Sequence, residues 1–156
     1  RQMMSQRQLS DAIARKARQK FDDISPAQIA AVAASAVDYA HSLQALDDTA
    51  YAAVSTRTAV RSGRSRRAIA QRLQIKGIDA ETATLALDAA DDRLAAVIFA
   101  RKRAFGPFRR VDMDEHRRAK ELSAFGRQGY SFDIGRLVVG MDIAEAEDIL
   151  NGVQRL

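Results

Sequence analysis

SRRAIAQRLQIKGI, residues 65–78, reads as one complete helix with both of its ends specified. Ser65 offers an N-cap oxygen to the first free N–H groups. Ile69 and Leu73 stand four apart, on one face of the helix. Gly77 has no Cβ and suits the left-handed conformation that closes a helix C-terminus. The same ending returns downstream: Arg72-Leu73 followed by Lys76-Gly77-Ile78 comes back as Ala124-Phe125 followed by Gln128-Gly129-Tyr130, at an offset of 52 residues. A weaker copy closes at Gln19-Lys20-Phe21. Ahead of the repeat, Asp47-Asp48 and Arg57 are echoed by Asp91-Asp92 and Arg101. Recurrence at this period marks a repeat architecture, and the unit is three helices. Each unit buries its apolar face against its neighbours, and the array offers a long partner an extended surface.

Working outward, Ser25-Pro26 opens a helix with Gln28 placed to complete a capping box. Its expected buried stripe is Ile29, Val32, Ala36, Ala40 and Leu43. Leu9, Ile13 and Ala17 mark an earlier helix ending near Lys20, and Asp47-Asp48 cap one running toward Gly63. Further helices begin at Asp79 and Glu81 and run from Asp92 to Ala104, the latter with Leu94, Val97, Ile98 and Phe105 spaced for burial and Gly106-Pro107 as terminator. The last third predicts helices over Asp112 to Gln128 and Ser131 to Val139, then a tail helix opened by Asp142. Strand-like alternation is absent. The expected fold is all-α: tandem three-helix modules in an elongated repeat-like array of about nine helices. Residues 1–45 form a partial first module, 46–90 the middle one, 91–140 the third, and 141–156 a C-terminal helical extension.

Composition fits. The chain is 47% hydrophobic with six Phe, three Tyr and no Trp, so its core is Ala-rich and suited to close helix packing. There is no Cys, which removes disulfides, thiolate metal sites and a cysteine nucleophile and agrees with a reducing cytoplasm. Apolar runs such as Ala30 to Ala34 and Leu94 to Ala100 fall far short of the roughly 20 residues that cross a bilayer, and no signal-peptide pattern is visible. A net charge of +5 implies an anionic partner: nucleic acid, a membrane surface or an acidic protein.

The candidate binding surface follows from charge placement. Between Asp48 and Asp79 there is no acidic residue, yet Arg57, Arg61, Arg64, Arg66, Arg67, Arg72 and Lys76 all occur. A charge run is ordinarily a solvated face. Here Arg66 and Arg67 fall in the first helical turn after Ser65, where the dipole disfavours a cation by about 0.3 to 1 kcal/mol. The helices beginning near Asp47, Asp79, Asp112 and Ser131 carry acids at that place. Free N–H groups, dipole and guanidinium groups are therefore expected to converge on an anion. Arg57, Arg61 and Arg64 are expected to share one helical face. Arg101, Lys102, Arg103, Arg109, Arg110, Arg117 and Arg118 extend the surface, interrupted by Asp112, Asp114 and Glu115.

No catalytic residue, cofactor site or metal-ligand set emerges. His41 and His116 are isolated, and no HExxH pattern or Gly-rich phosphate loop is present. Asp22-Asp23, Asp47-Asp48 and Asp91-Asp92 sit at helix boundaries, where caps are expected rather than a catalytic carboxylate pair. Phe21, Phe125, Tyr130 and Phe132 are expected to pack the core rather than stack on bases.

Leu46-Asp47-Asp48 leading into Tyr51-Ala52, then Arg57, Gly63, Arg67-Ala68-Ile69, Arg72-Leu73, Lys76-Gly77-Ile78 and Ala86-Leu87, resemble the RecX family in order and spacing. Ala124-Phe125, Arg127 and Gly129-Tyr130-Ser131 look like that family's third module, and Ser5 to Phe21 like part of its first. The resemblance implies a non-enzymatic, cytoplasmic, monomeric regulator in DNA repair, recombination and the SOS response. Its partner would be the RecA nucleoprotein filament, whose growth, ATP hydrolysis and strand exchange it restrains, with no cofactor and no membrane. The residues by themselves also fit an independent basic helix-turn-helix-like protein that binds single- or double-stranded DNA.

Overall fold

Serine and aspartate side chains decide where the helices of this chain begin. The computed structural model describes residues 3–152, which contain nine α-helices, one 3-10 turn and no strand. Helices α1 (Gln6–Lys20) and α2 (Pro26–Ser42) each open with a complete capping box, Ser5 with Gln8 and Ser25 with Gln28. The N–H groups of Ala50, Thr82, Leu94 and Glu145 bond the carboxylates of Asp47, Asp79, Asp91 and Asp142, opening α3 (Asp48–Arg61), α5 (Ala80–Asp88), α6 (Asp92–Arg103) and α9 (Ile143–Gly152). Ser65 and Ser131 open α4 (Arg66–Ile75) and α8 (Phe132–Val139).

Four expectations need correction. Helix α7 (Glu115–Arg127) starts at Asp114, whose carboxylate accepts from the Arg117 N–H at 2.6 Å, and not at Asp112. Helix α6 is closed by Ala104 in the left-handed region (φ 53°), while Gly106-Pro107 builds the 3-10 turn Gly106–Phe108 beyond it. On α2 the buried row is Ile29, Ala33 and Val37, an i, i+4, i+8 line whose central alanine lets α1 approach closely. Val32 and Leu43 are exposed, Leu43 because it lies one residue past the helix. Among the aromatics, Phe125 and Tyr130 are buried, whereas Phe21 and Phe132 stand in solvent.

The chain packs as two compact units. One comprises the segment ending at Val54 together with Arg72–Ala86; the other comprises Ser55–Gln71 and the chain from Leu87 onward. These are units of packing, and each draws on elements of successive three-helix repeats. In the first, α1 packs on α2. In the second, every residue of α6 from Leu94 through Ala100 has low exposure, with α8 and α9 packed on the helix, as its apolar run requires. Phe99 gathers Phe105, Phe125 and Tyr130 about it with centroids 6.1, 5.1 and 6.0 Å away. Gly63 lets the end of α3 meet α6, since a Cβ there would come within 2.9 Å of the Phe99 nitrogen.

Each unit contains the same joint. In the first, the fully buried Ser5 hydroxyl accepts from the Gln8 N–H and donates to the Lys76 carbonyl at 2.7 Å. In the second, the fully buried Ser65 accepts from the Ala68 N–H and donates to the Gln128 carbonyl, again at 2.7 Å. Next to these serines, the Gln6 N–H bonds Asp48 and the Arg66 N–H bonds Asp92. The carbonyls belong to residues that precede left-handed glycines, Gly77 at φ 77° and Gly129 at φ 86°. The repeat at the level of sequence is thus a repeat of one hydrogen-bonded joint.

Candidate functional site

Of the cations in the acid-free block, Arg57, Arg61, Arg64, Arg66, Arg67 and Arg72 are exposed and Lys76 is half-buried. Arg57 and Arg61 lie one turn apart on α3. Arg64 does not continue that face: the helix ends at Arg61, the chain turns at Gly63 (φ 72°), and the Arg64 N–H turns back to the Ala59 carbonyl. In the further group, Arg101, Lys102, Arg103, Arg110, Arg117 and Arg118 are exposed. The Lys102 ammonium reaches the Ser62 carbonyl at 3.0 Å, neutralising the end of α3, and the Arg103 guanidinium lies 5.9 Å from the Phe99 ring centroid.

The N-terminus of α4 is not an open anion site. Its first N–H, on Arg66, is taken by the Asp92 carboxylate, and the Arg66 guanidinium pairs with Asp88 at 3.1 Å. The acid missing from the first turn is supplied by the start of the next repeat, so the cation at this position is compensated internally. Helices α1 and α2 also lack first-turn acids, so α4 is not the lone exception that the sequence suggests. Arg67 keeps an exposed guanidinium without a carboxylate partner among the described residues.

Arg109 turns inward from the surface. Its Nε and Nη2 donate to the two oxygens of Glu121 at 2.8 and 2.6 Å, and the Gly106 N–H donates to the same carboxylate at 3.0 Å. The Glu121 side chain is 1% exposed and that of Arg109 11%. Burial pushes the Glu121 carboxyl up, but the Arg109 fork and the Gly106 N–H outweigh it and hold it below the usual range. This pair anchors the turn between α6 and α7, and composition alone gave no sign that one Arg of the run was structural.

Sequence reasoning also missed a cleft of about 390 Å³ in the second unit. Arg61 at the end of α3, Leu94, Ile98, Arg101 and Lys102 along one face of α6, and Leu150 and Asn151 of α9 line it. Leu94 and Ile98 were legible as apolar positions; that α9 completes a wall beside them was not. Among the described residues no group of three His, Cys, Asp or Glu comes together as a metal set, and no helix is long and apolar enough to cross a membrane. His41 is exposed, with Nε2 3.2 Å from the Gln6 Oε1, and His116 is exposed on α7.

Residues 47–87 match a family model described as "RecX, second three-helix domain". The chain is 60% identical over 149 residues to the "Regulatory protein RecX" of Agrobacterium fabrum, spanning 96% of this chain and 81% of that protein. It is 39% identical over 99 residues to the "Regulatory protein RecX" of Myxococcus xanthus, spanning 60% of this chain and 53% of that protein.

Proposed function

Because this chain belongs to the RecX family, we propose that it is a regulator of the RecA recombinase that acts by binding the nucleoprotein filament and carries out no chemistry of its own. The similarity across nearly the whole chain to a protein named as regulatory carries this reading. In this account the partial first module (1–45) and the three-helix modules 46–90 and 91–140 lie along the filament as a monomeric array in the cytoplasm. They restrain subunit addition, ATP hydrolysis and strand exchange during recombination and the SOS response. The contacts come from the exposed cations of the middle and third modules: Arg57, Arg61, Arg64, Arg67 and Arg72, extended by Arg101, Lys102, Arg103, Arg110, Arg117 and Arg118. Arg66 and Arg109 contribute less, since their guanidinium groups already hold Asp88 and Glu121.

Exposed cations attract an anionic partner over a distance, and salt screens that attraction beyond a Debye length of about 8 to 10 Å. Binding is therefore expected to weaken as salt rises. Gel mobility with single- and double-stranded DNA, each with and without recombinase, tests the proposal. The protein should retard the assembled filament at concentrations that leave naked DNA unshifted. Equal retardation of naked DNA would replace the reading with that of an independent DNA-binding protein.

A further inference from the structure

The cleft bounded by α6, the end of α3 and α9 combines two chemistries that a phosphate backbone does not bring together. Its floor is aliphatic, from Leu94, Ile98 and Leu150; its rim carries Arg61, Arg101 and Lys102; among the described residues no acidic side chain lines it. The bland account of the rim is that cations neutralise helix ends. The C-termini of α3, α6 and α9 each contribute about half a negative charge, which three cations exceed by roughly one and a half. Lys102 is committed to the Ser62 carbonyl, whereas Arg61 and Arg101 have no carboxylate partner among the described residues.

We propose that this cleft is a docking site for an acidic protein segment that presents an aliphatic side chain between carboxylates. The aliphatic group seats on Leu94, Ile98 and Leu150, and the flanking carboxylates meet Arg61 and Arg101, where guanidinium forks suit carboxylate geometry. Nucleic acid fits the cleft less well. Its phosphates leave the apolar floor uncovered, and among the described residues no aromatic ring lines the cleft on which a base would stack. The volume of about 390 Å³ falls in the range of roughly 300 to 1,000 Å³ typical of ligand clefts. The inference deepens the filament reading, on which it rests for a protein partner in the cell.

Fluorescence anisotropy with a labelled synthetic peptide of aspartates around one central leucine tests it, and contains no recombinase, so its failure is separate from failure of the filament proposal. Wild type should bind saturably. Arg61→Glu with Arg101→Glu should weaken binding at least about tenfold, while the charge-matched pair Arg15→Glu with Lys16→Glu on α1 should not. Exchanging the peptide's leucine for serine, which leaves the protein unaltered, should weaken binding about fivefold or more. Absence of saturable binding overturns the proposal. So does binding that ignores the leucine, that Arg61 and Arg101 do not affect, or that a labelled oligothymidylate matches with the same dependence on those two arginines.

Discussion

Replacing Ser65 with alanine removes two bonds with one atom. The hydroxyl caps α4 by accepting from the Ala68 N–H at 3.1 Å and donates to the Gln128 carbonyl at 2.7 Å. Losing an N-cap costs about 1 kcal/mol, within a range of roughly 0.5 to 2. The bond to the Gln128 carbonyl is lost as well, at a further cost of about 0.5 to 1.5 kcal/mol. Ser65→Ala should therefore destabilise by about 1.5 to 2.5 kcal/mol. Ser131 provides the comparison within the same unit: it is exposed and caps α8 through the Ile134 N–H at 3.3 Å. Ser131→Ala should cost only the cap, about 1 kcal/mol. Urea unfolding followed by far-ultraviolet circular dichroism measures both, with the slope checked for constancy so that midpoints report stability. If the two variants lose the same stability to within about 0.5 kcal/mol, the joint contributes nothing beyond an ordinary cap.

Glu121→Gln should destabilise by about 3 to 5 kcal/mol, because it leaves the Arg109 charge in the interior without its counter-charge; a thermal shift below that of an exposed acid-to-amide change would contradict this. The wild-type pair also sets a pH dependence. Since the folded carboxyl is held below its ordinary range, the stability it contributes is present above the unfolded pKa of about 4.3 and is lost as pH falls from there through the folded value. Stability of Glu121→Gln should accordingly fall less than wild type over that acid window, as urea titrations at stepped pH will read. Ala104→Gly should raise stability by about 0.5 to 1 kcal/mol: the left-handed conformation costs an alanine roughly 1 to 2 kcal/mol, and the added unfolded-chain freedom of glycine returns part of it. A lowered melting temperature would refute that assignment of strain.

Local causes were readable from the chain and distant ones were not. Ser25, Ser65, Asp47 and Asp142 announce helix starts because the cap and the N–H it satisfies lie within three residues of one another. The glycines at 77 and 129 announce helix ends for the same reason, and both have positive φ. Ile69 and Leu73, each 1% exposed, follow from helical spacing alone. The N-terminus of α4 misled because the acid that answers Arg66 comes from Asp92, 26 residues away. Arg109 looked like any member of a basic run until the fold brought Glu121 beneath it. On α2, apolar spacing admitted more than one stripe, and the row at Ile29, Ala33 and Val37 was selected by the helix packed against it. The cleft needed three elements whose proximity no spacing encodes.

The most direct measurement is recombinase ATPase on single-stranded DNA over a concentration series of wild type and of a variant carrying Arg57→Ala, Arg61→Ala and Arg67→Ala. These three side chains are exposed and lack carboxylate partners among the described residues, so circular dichroism should show the fold intact. Charge-assisted contacts of about 1.5 to 3 kcal/mol each predict that the inhibition curve moves at least tenfold to higher concentration. Wild type that leaves ATP hydrolysis unchanged at saturation would contradict the regulatory account, and overlapping curves would contradict the binding surface assigned to these arginines.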